Sequence, residues 1–405
     1  MNEATHAGAS GTAIATNRAL TIALCFGVAV LEGFDIQAMG VAAPKLAPEF
    51  GLAANQMGWI FSISNIGLVI GAAFGGRLAD RVGRKPVFCG AVLTFGLFTL
   101  ATTLINGFEM LFAMRLLAGL GFGAALPNMM AVAAEISAPE KRSSTAATMF
   151  CGMPLGGGSS ALVTQILPPD SSWRALFVIG GILPLLLVPA MYAWMPETLR
   201  RNDQSAAPRT SSGHALFGEG RAVPTLLLWI AFLPTLLILY LILNWLPTLV
   251  IANGLDRATA PQASLAFNYA SVVGALIVSR LVDVYGARWP LMICYGALIA
   301  TLMALSTAHE RTMILLFSGA AGFFLLGANY SLYGVAASYY PQVMRGTGSG
   351  ASVAMGRVGS IIGPLLAGVL LGSGATAETV VKYMVPFAAV SAAAVFAVSF
   401  FRRVD

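Results

Sequence analysis

Between Leu226 and Leu243 the chain places eighteen residues in a row without a charged side chain. Wound as a helix at about 1.5 Å per residue, such a run approaches the thickness of a bilayer's hydrocarbon core, about 30 Å. Strands of a membrane barrel would instead alternate every second residue over about ten positions, which this run does not do. Predominantly apolar runs recur along the chain, at about 18–41, 56–79, 86–105, 110–135, 144–166, 173–194, 223–250, 262–282, 289–306, 311–337, 346–371 and 379–401. Composition agrees: 57% of the 405 residues are hydrophobic and 10% charged, against about 45–50% and about 25% in soluble domains. A soluble enzyme, a disordered chain and a coiled coil are thereby excluded. The expected fold class is an all-α polytopic membrane protein with twelve transmembrane helices.

Positive charge orients the spans. With the N-terminus cytoplasmic, the inside segments hold Arg18, Arg77, Arg81, Arg84, Lys85, Lys141, Arg142, Arg200, Arg201, Arg209, Arg221, Arg280, Arg288, Arg345, Arg402 and Arg403. The outside segments hold only Lys45, Arg174, Arg257, Arg311 and Lys382. This bias predicts that both termini lie in the cytoplasm, so the net charge of +6 reads as a topology signal. No basic patch with interleaved aromatics points to nucleic acid. Residues 1–17 lack the apolar core of a signal peptide.

Cys25, Cys89, Cys151 and Cys294 are scattered through apolar spans without metal-ligand spacing and read as small hydrophobes. His6, His214 and His309 fall outside the spans, so neither a metal site nor a Ser-His pairing can be built at membrane depth. No GxxxxGK[ST] run marks an ATP site. No cofactor or metal is expected.

The sequence repeats at an offset of 203: GRLADRVGRK at 76–85 answers to SRLVDVYGAR at 279–288. Asp80 falls on Asp283, Gly83 on Gly286, Lys85 on Arg288, Arg142 on Arg345 and Gly119 on Gly322. This predicts a cytoplasmic tail at 1–17, a six-helix bundle at 18–194, a cytoplasmic linker at 195–222, a second bundle at 223–401 and a tail at 402–405. Parallel halves of this kind are one architecture of secondary transporters, with substrate near the midplane.

GRLADRVGRK after the second span resembles the loop signature of the major facilitator superfamily, and RLLAGLGFGAALPN (115–128) resembles its Arg-bearing fourth-helix motif. Within it, LEGFDIQAMGVAAPKLAPEFGL in span 1 is similar to the aromatic acid:proton symporters. Those commonly begin this motif with Asp; this chain has Glu32, as the 3-(3-hydroxyphenyl)propionate-transporting branch does. MGWIFS (57–62), LILNWLP (241–247) and VAMGRVGSIIGPLLAG (353–368) also resemble that branch. The resemblance implies a bacterial inner-membrane carrier, acting as a monomer, whose coupling ion is the proton.

Glu32 and Asp35, three residues apart, share one face of helix 1. A carboxylate at membrane depth is costly when charged. Burial and a like-charged neighbour favour its protonated form, and a nearby Arg favours the charged one. The pair is therefore a candidate proton carrier, or else a fixed structural bridge. Arg115 in span 4 lies at a depth similar to that of Asp35, which is about 26 Å up span 1; an Asp35–Arg115 pair follows, supported by Gly119 and Gly123 on the Arg115 face. Arg357 sits near the middle of span 11, where its repeat partner is Pro154. It reads as an anchor for an anionic substrate, or as an internal bridge to Glu32 or Asp35. Tyr240 and Asn244 in span 7, with Asn329, Tyr330 and Tyr333 in span 10, are candidates to stack on a ring and bond a phenolic hydroxyl.

The loop charges read as a cytoplasmic gate. Gly76 is expected to let helix 2 approach its neighbour, and Asp80 to face the N-terminus of helix 11 or bond Arg142 or Arg345. Glu135 is expected to meet Arg84 or Arg142, and Asp283 with Arg288 to repeat the gate in the second half. The expected function is import of an aromatic carboxylate with protons by rocker-switch alternating access. A proton-coupled efflux antiporter is the alternative, although Met153 in CGMPLGGG (151–158) interrupts the helix-5 signature of such exporters. A transport-dead sensor would need a signalling domain that no loop here can accommodate.

Overall fold

The computed structural model describes residues 3–168, 171–198 and 211–401, with the side chains of 3–17, 139, 143 and 212 set aside. Among these residues there are thirteen α-helices and no strand. The first six are α1 (Glu3–Glu49), α2 (Ala54–Val82), α3 (Arg84–Ala101), α4 (Phe108–Ile136), α5 (Arg142–Ile166) and α6 (Arg174–Trp194). After a short α7 (Ser212–Phe217) come α8 (Ala222–Ala252), α9 (Thr259–Tyr285), α10 (Arg288–Ser306), α11 (Arg311–Ala337), α12 (Arg345–Gly372) and α13 (Ala377–Val398). Eleven of the twelve long helices are long and apolar enough to span a membrane. The twelfth, α5, carries Gly152, Gly156, Gly157, Gly158, Ser159, Ser160 and Thr164, residues that lower hydropathy but favour close helix packing.

The repeat is visible in the backbone. Gly83 and Gly286, 203 positions apart, both have positive φ, +118° and +78°, with extended ψ of 151° and 167°, a region that is essentially confined to glycine and costs other residues about 1–3 kcal/mol. Each ends its helix, α2 or α9, and turns the chain into the next one. Part of the segment expected as a linker, 199–210, lies outside the described residues. The rest is ordered by Arg221, whose guanidinium donates to the carbonyls of Ala215 (3.1 Å) and His214 (3.2 Å) and to Glu219 (2.5 Å). That anchors α7 to the start of α8, and it holds the Glu219 carboxyl below the usual carboxylate range.

Backbone contacts group the residues into two compact units. Of the described residues, the first holds 3–35, 66–156 and 174–198. Its core gathers Cys25, Val28, Phe88, Phe95, Phe122 and Met129, so Cys25 packs as the apolar side chain the sequence suggests. Missing side chains bring its helices to backbone contact: a Cβ on Gly156 of α5 would stand 1.8 Å from the Val30 carbonyl of α1. One on Gly123 of α4 would stand 2.0 Å from the Leu68 carbonyl of α2.

Of the described residues, the second unit holds 36–65, 157–168, 171–173 and 211–401. In it the C-terminal part of α1 and the N-terminal part of α2 pack on α8, α9 and α12. Gln37 donates to the Leu243 carbonyl (2.9 Å) and accepts from Asn268 (3.3 Å). Ser62 donates to the Ile361 carbonyl (2.7 Å). A Cβ on Gly40 would stand 2.7 Å from that same Leu243 carbonyl.

Candidate functional site

In the first unit, Asp35 and Arg115 form a forked ion pair. Nη2 of Arg115 donates to Oδ2 at 2.6 Å and Nη1 to Oδ1 at 3.2 Å. The pair is sealed, with side-chain exposures of 0% for Asp35 and 1% for Arg115. Thr99 of α3 donates a further hydrogen bond to Oδ1 at 2.8 Å. The Phe177 ring of α6 lies 6.0 Å from the guanidinium carbon, within cation–π range. Four helices, α1, α3, α4 and α6, thus converge on one charge pair. Close packing of α2 on α4, where a Cβ on Gly67 would stand 3.0 Å from Gly119, fixes the height of Arg115. Glu32, one turn before Asp35, is also fully buried, so two carboxyl groups lie at depth on α1.

In the second unit, Arg357 of α12 donates to the Tyr240 hydroxyl of α8 at 2.8 Å. Tyr333 of α11 lies beside Arg357, Tyr240 and Asn329. The Tyr330 and Tyr333 rings are 6.4 Å apart, and Tyr333 meets Phe232 edge-on at 5.4 Å. Asn244 donates to the Tyr240 carbonyl (2.7 Å), within its own helix. Oδ1 of Asn329 is buried and receives no hydrogen bond among the described residues, a costly state for a polar atom. A guanidinium, three phenols, an apolar ring and an acceptor lacking a donor provide the chemistry for a flat, hydroxylated anion. Within the first unit Asp35 is held by Arg115 and Thr99, and within the second Arg357 donates to Tyr240.

The charges at the far end of α2 depart from expectation. Gly76 makes no close approach, because a Cβ there would meet nothing within 4 Å. The tight position is its neighbour Gly75, whose Cβ would stand 2.6 Å from Cα of Ala124; a shift of one residue rotates a helix face by about 100°. Asp80 pairs with Arg84, one turn on, at 3.9 Å. Arg84 reaches Glu135 at 2.9 Å, one of the two partners expected. Arg142 and Arg345 are exposed and form no ion pair among the described residues. Asp283 is exposed too, and Arg288 does not pair with it. Arg288 instead donates to the hydroxyl (2.8 Å) and carbonyl (3.1 Å) of Ser399 and stacks 4.2 Å over Phe400, at the end of α13.

Several contributors escaped the sequence reading. Thr99 gave no signal, since a hydroxyl in an apolar helix commonly bonds its own backbone. Phe232 did give one: it stands in register with Leu236, Tyr240 and Asn244, every fourth residue of α8. Glu197, just beyond α6, accepts from the backbone N–H groups of Arg84 (3.0 Å) and Lys85 (3.2 Å), placing a carboxylate on the positive end of α3.

Comparison with known proteins gives consistent findings. The profile of the Major Facilitator Superfamily matches residues 25–277 and 252–405. The chain is 40% identical to a 3-(3-hydroxyphenyl)propionate transporter of Escherichia coli K12, over 93% of each chain. It is 32% identical to the 4-hydroxybenzoate transporter PcaK of Pseudomonas putida, over 91% of this chain and 90% of that one. It is 33% identical to a gallate transporter of the same species, over 89% and 87%. Its fold matches a bacterial homologue of the lysosomal transporter Spinster, in an inward-facing and unoccupied conformation, with a TM-score of 0.81 at 16% identity over 95% of this chain and 97% of that one. It also matches the nucleoside transporter NupG, with a TM-score of 0.77 at 16% identity over 94% and 99%.

Proposed function

We propose that this chain, which belongs to the Major Facilitator Superfamily and is therefore a multi-pass membrane transporter and not an enzyme, imports a hydroxylated aromatic carboxylate together with protons. The observation that carries the coupling is the sealed Asp35–Arg115 pair. A charge pair at membrane depth is retained at an energetic cost, and one that exchanges partners during transport serves as a coupling device. Asp35, with Glu32 one turn away, takes up the proton. Arg115 is thereby released, and Arg357 and Arg115 are the anchors for the substrate carboxylate. Tyr240, Tyr330, Tyr333 and Asn244 form the slot for the ring, and Asn329 accepts from a ring hydroxyl. The relatives named for hydroxyphenylpropionate, hydroxybenzoate and gallate support this substrate class.

In this account two six-helix halves, 18–194 and 223–401, rock in alternation as a functional monomer. The carrier sits in the bacterial inner membrane with both termini cytoplasmic, and Asp80, Arg84, Glu135 and Glu197 form the inner charge network. One proton carried with one monoanion moves no net charge, so the pH gradient drives that stoichiometry. The test is uptake of radiolabelled 3-(3-hydroxyphenyl)propionate by proteoliposomes, with unlabelled acids as competitors. Hydroxylated aromatic acids should compete, 3-phenylpropionate should compete less well, and Asn329→Leu should erase that difference. Uptake unaffected by any aromatic acid would overturn the substrate assignment.

A further inference from the structure

A groove of about 910 Å³ runs along the surface of the first unit. Its floor is α4, at Leu120 and Ala124, and its walls are α2 and α3. The walls stand against the floor at backbone distance: a Cβ on Gly71 would meet the Leu120 carbonyl at 2.2 Å, and one on Gly121 would meet the Phe95 nitrogen at 2.6 Å. The groove stays open because Gly90 of α3 has no side chain, and nothing lies within 4 Å of where its Cβ would be. The wall contributed by α2 is apolar and exposed, with Phe74 at 68% and Leu78 at 51%. Thr94 turns its hydroxyl back to the Gly90 carbonyl at 2.8 Å, which leaves the interior without a free donor there.

At one end the chemistry changes. Arg77 and Arg81, one turn apart on α2, line the mouth and are both exposed. Arg77 donates to the Ala73 carbonyl of its own helix at 2.9 Å. Neither arginine forms an ion pair among the described residues, and Asp80 beside them pairs with Arg84. From Arg81 to Ile70, the far end of the lining on α2, is about 16 Å of helix, roughly half of a bilayer's hydrocarbon. The groove is therefore one leaflet deep, apolar along its length and doubly cationic at its mouth. The positive-charge bias puts that mouth at the cytoplasmic surface, where anionic lipids concentrate.

We infer that this groove binds an anionic phospholipid of the cytoplasmic leaflet, with its phosphate on Arg77 and Arg81 and an acyl chain lying along α4 past Gly90. The occupant is a lipid and not a free anion, because the cationic pair opens onto an apolar channel and not onto a polar pocket. Neither arginine belongs to the inner charge network, so lipid binding and substrate transport are separable.

Native mass spectrometry of the purified full-length protein tests this, by titration with phosphatidylglycerol or with phosphatidylcholine of the same chains. Wild type should retain phosphatidylglycerol about thirtyfold better, as two basic side chains at an anionic headgroup imply. Arg77→Gln/Arg81→Gln should reduce phosphatidylglycerol to the phosphatidylcholine level, whereas Arg77→Lys/Arg81→Lys should keep the preference. Gly90→Leu, which fills open space, should weaken retention of both lipids. Glycerophosphoglycerol, the headgroup without chains, should not displace the bound lipid. Equal retention of the two lipids by wild type, a preference that survives the double Gln substitution, or displacement by the bare headgroup would each overturn the inference. All readouts are taken without substrate, so they stand or fall independently of the transport proposal.

Discussion

Breaking the Asp35–Arg115 pair from one side should cost far more than removing it altogether. Both side chains are at most 1% exposed, and two N–H···O contacts at 2.6 and 3.2 Å join them. Removing one partner of a buried pair costs about 3–5 kcal/mol, because an uncompensated charge stays behind. Replacing both with uncharged groups of similar size is close to neutral. Asp35→Asn and Arg115→Met are therefore each expected to destabilise by about 3–5 kcal/mol, with the Asp35 lesion softened by the remaining Thr99 hydroxyl. The double variant should fall short of the sum by about 3–5 kcal/mol or more, leaving it at least as stable as either single variant. Reversible denaturation in mixed micelles of all four proteins gives the cycle. Additivity within about 0.5 kcal/mol would mean that the two side chains act as independent sites and are not a coupled pair.

Thr99→Val removes a hydrogen bond to a charged group and should destabilise by about 1.5–3 kcal/mol in the same assay, while Thr99→Ser should retain most of it. Gly75→Ala should destabilise by forcing α2 from α4, whereas Gly76→Ala one residue on should be neutral or stabilising by up to about 1 kcal/mol, read as thermal midpoints. Asp283→Asn should stay within about 0.5 kcal/mol of wild type, while Arg288→Leu, which frees the end of α13, should lower the midpoint measurably.

The sequence reveals most where physics makes a residue expensive. Charged side chains inside apolar runs are rare enough that Asp35, Arg115 and Arg357 could be singled out, and rise per residue sufficed to match the depths of the first two. Gly83 and Gly286 were legible as a repeat before their positive φ angles gave the reason. What stayed hidden depends on rotation about helix axes and on distant chain segments. Gly75 and Gly76 differ only in which way they face. Glu197 reaches the start of α3 from 113 residues away. Arg288 is drawn to Ser399 and Phe400 and not to its sequence neighbour Asp283, because the end of α13 offers a carbonyl, a hydroxyl and an aromatic face together. Asp80, by contrast, pairs locally, with Arg84 one turn away.

In the proposed cycle the carboxylate held by Arg115 and Thr99 couples substrate to the proton. Wild type and Asp35→Asn should be compared in proteoliposomes for two activities with the same labelled aromatic acid: accumulation driven by an inward proton gradient, and exchange at equal pH. Asp35→Asn should abolish accumulation while leaving exchange measurable. Gradient-driven accumulation by Asp35→Asn at the wild-type level would contradict this coupling.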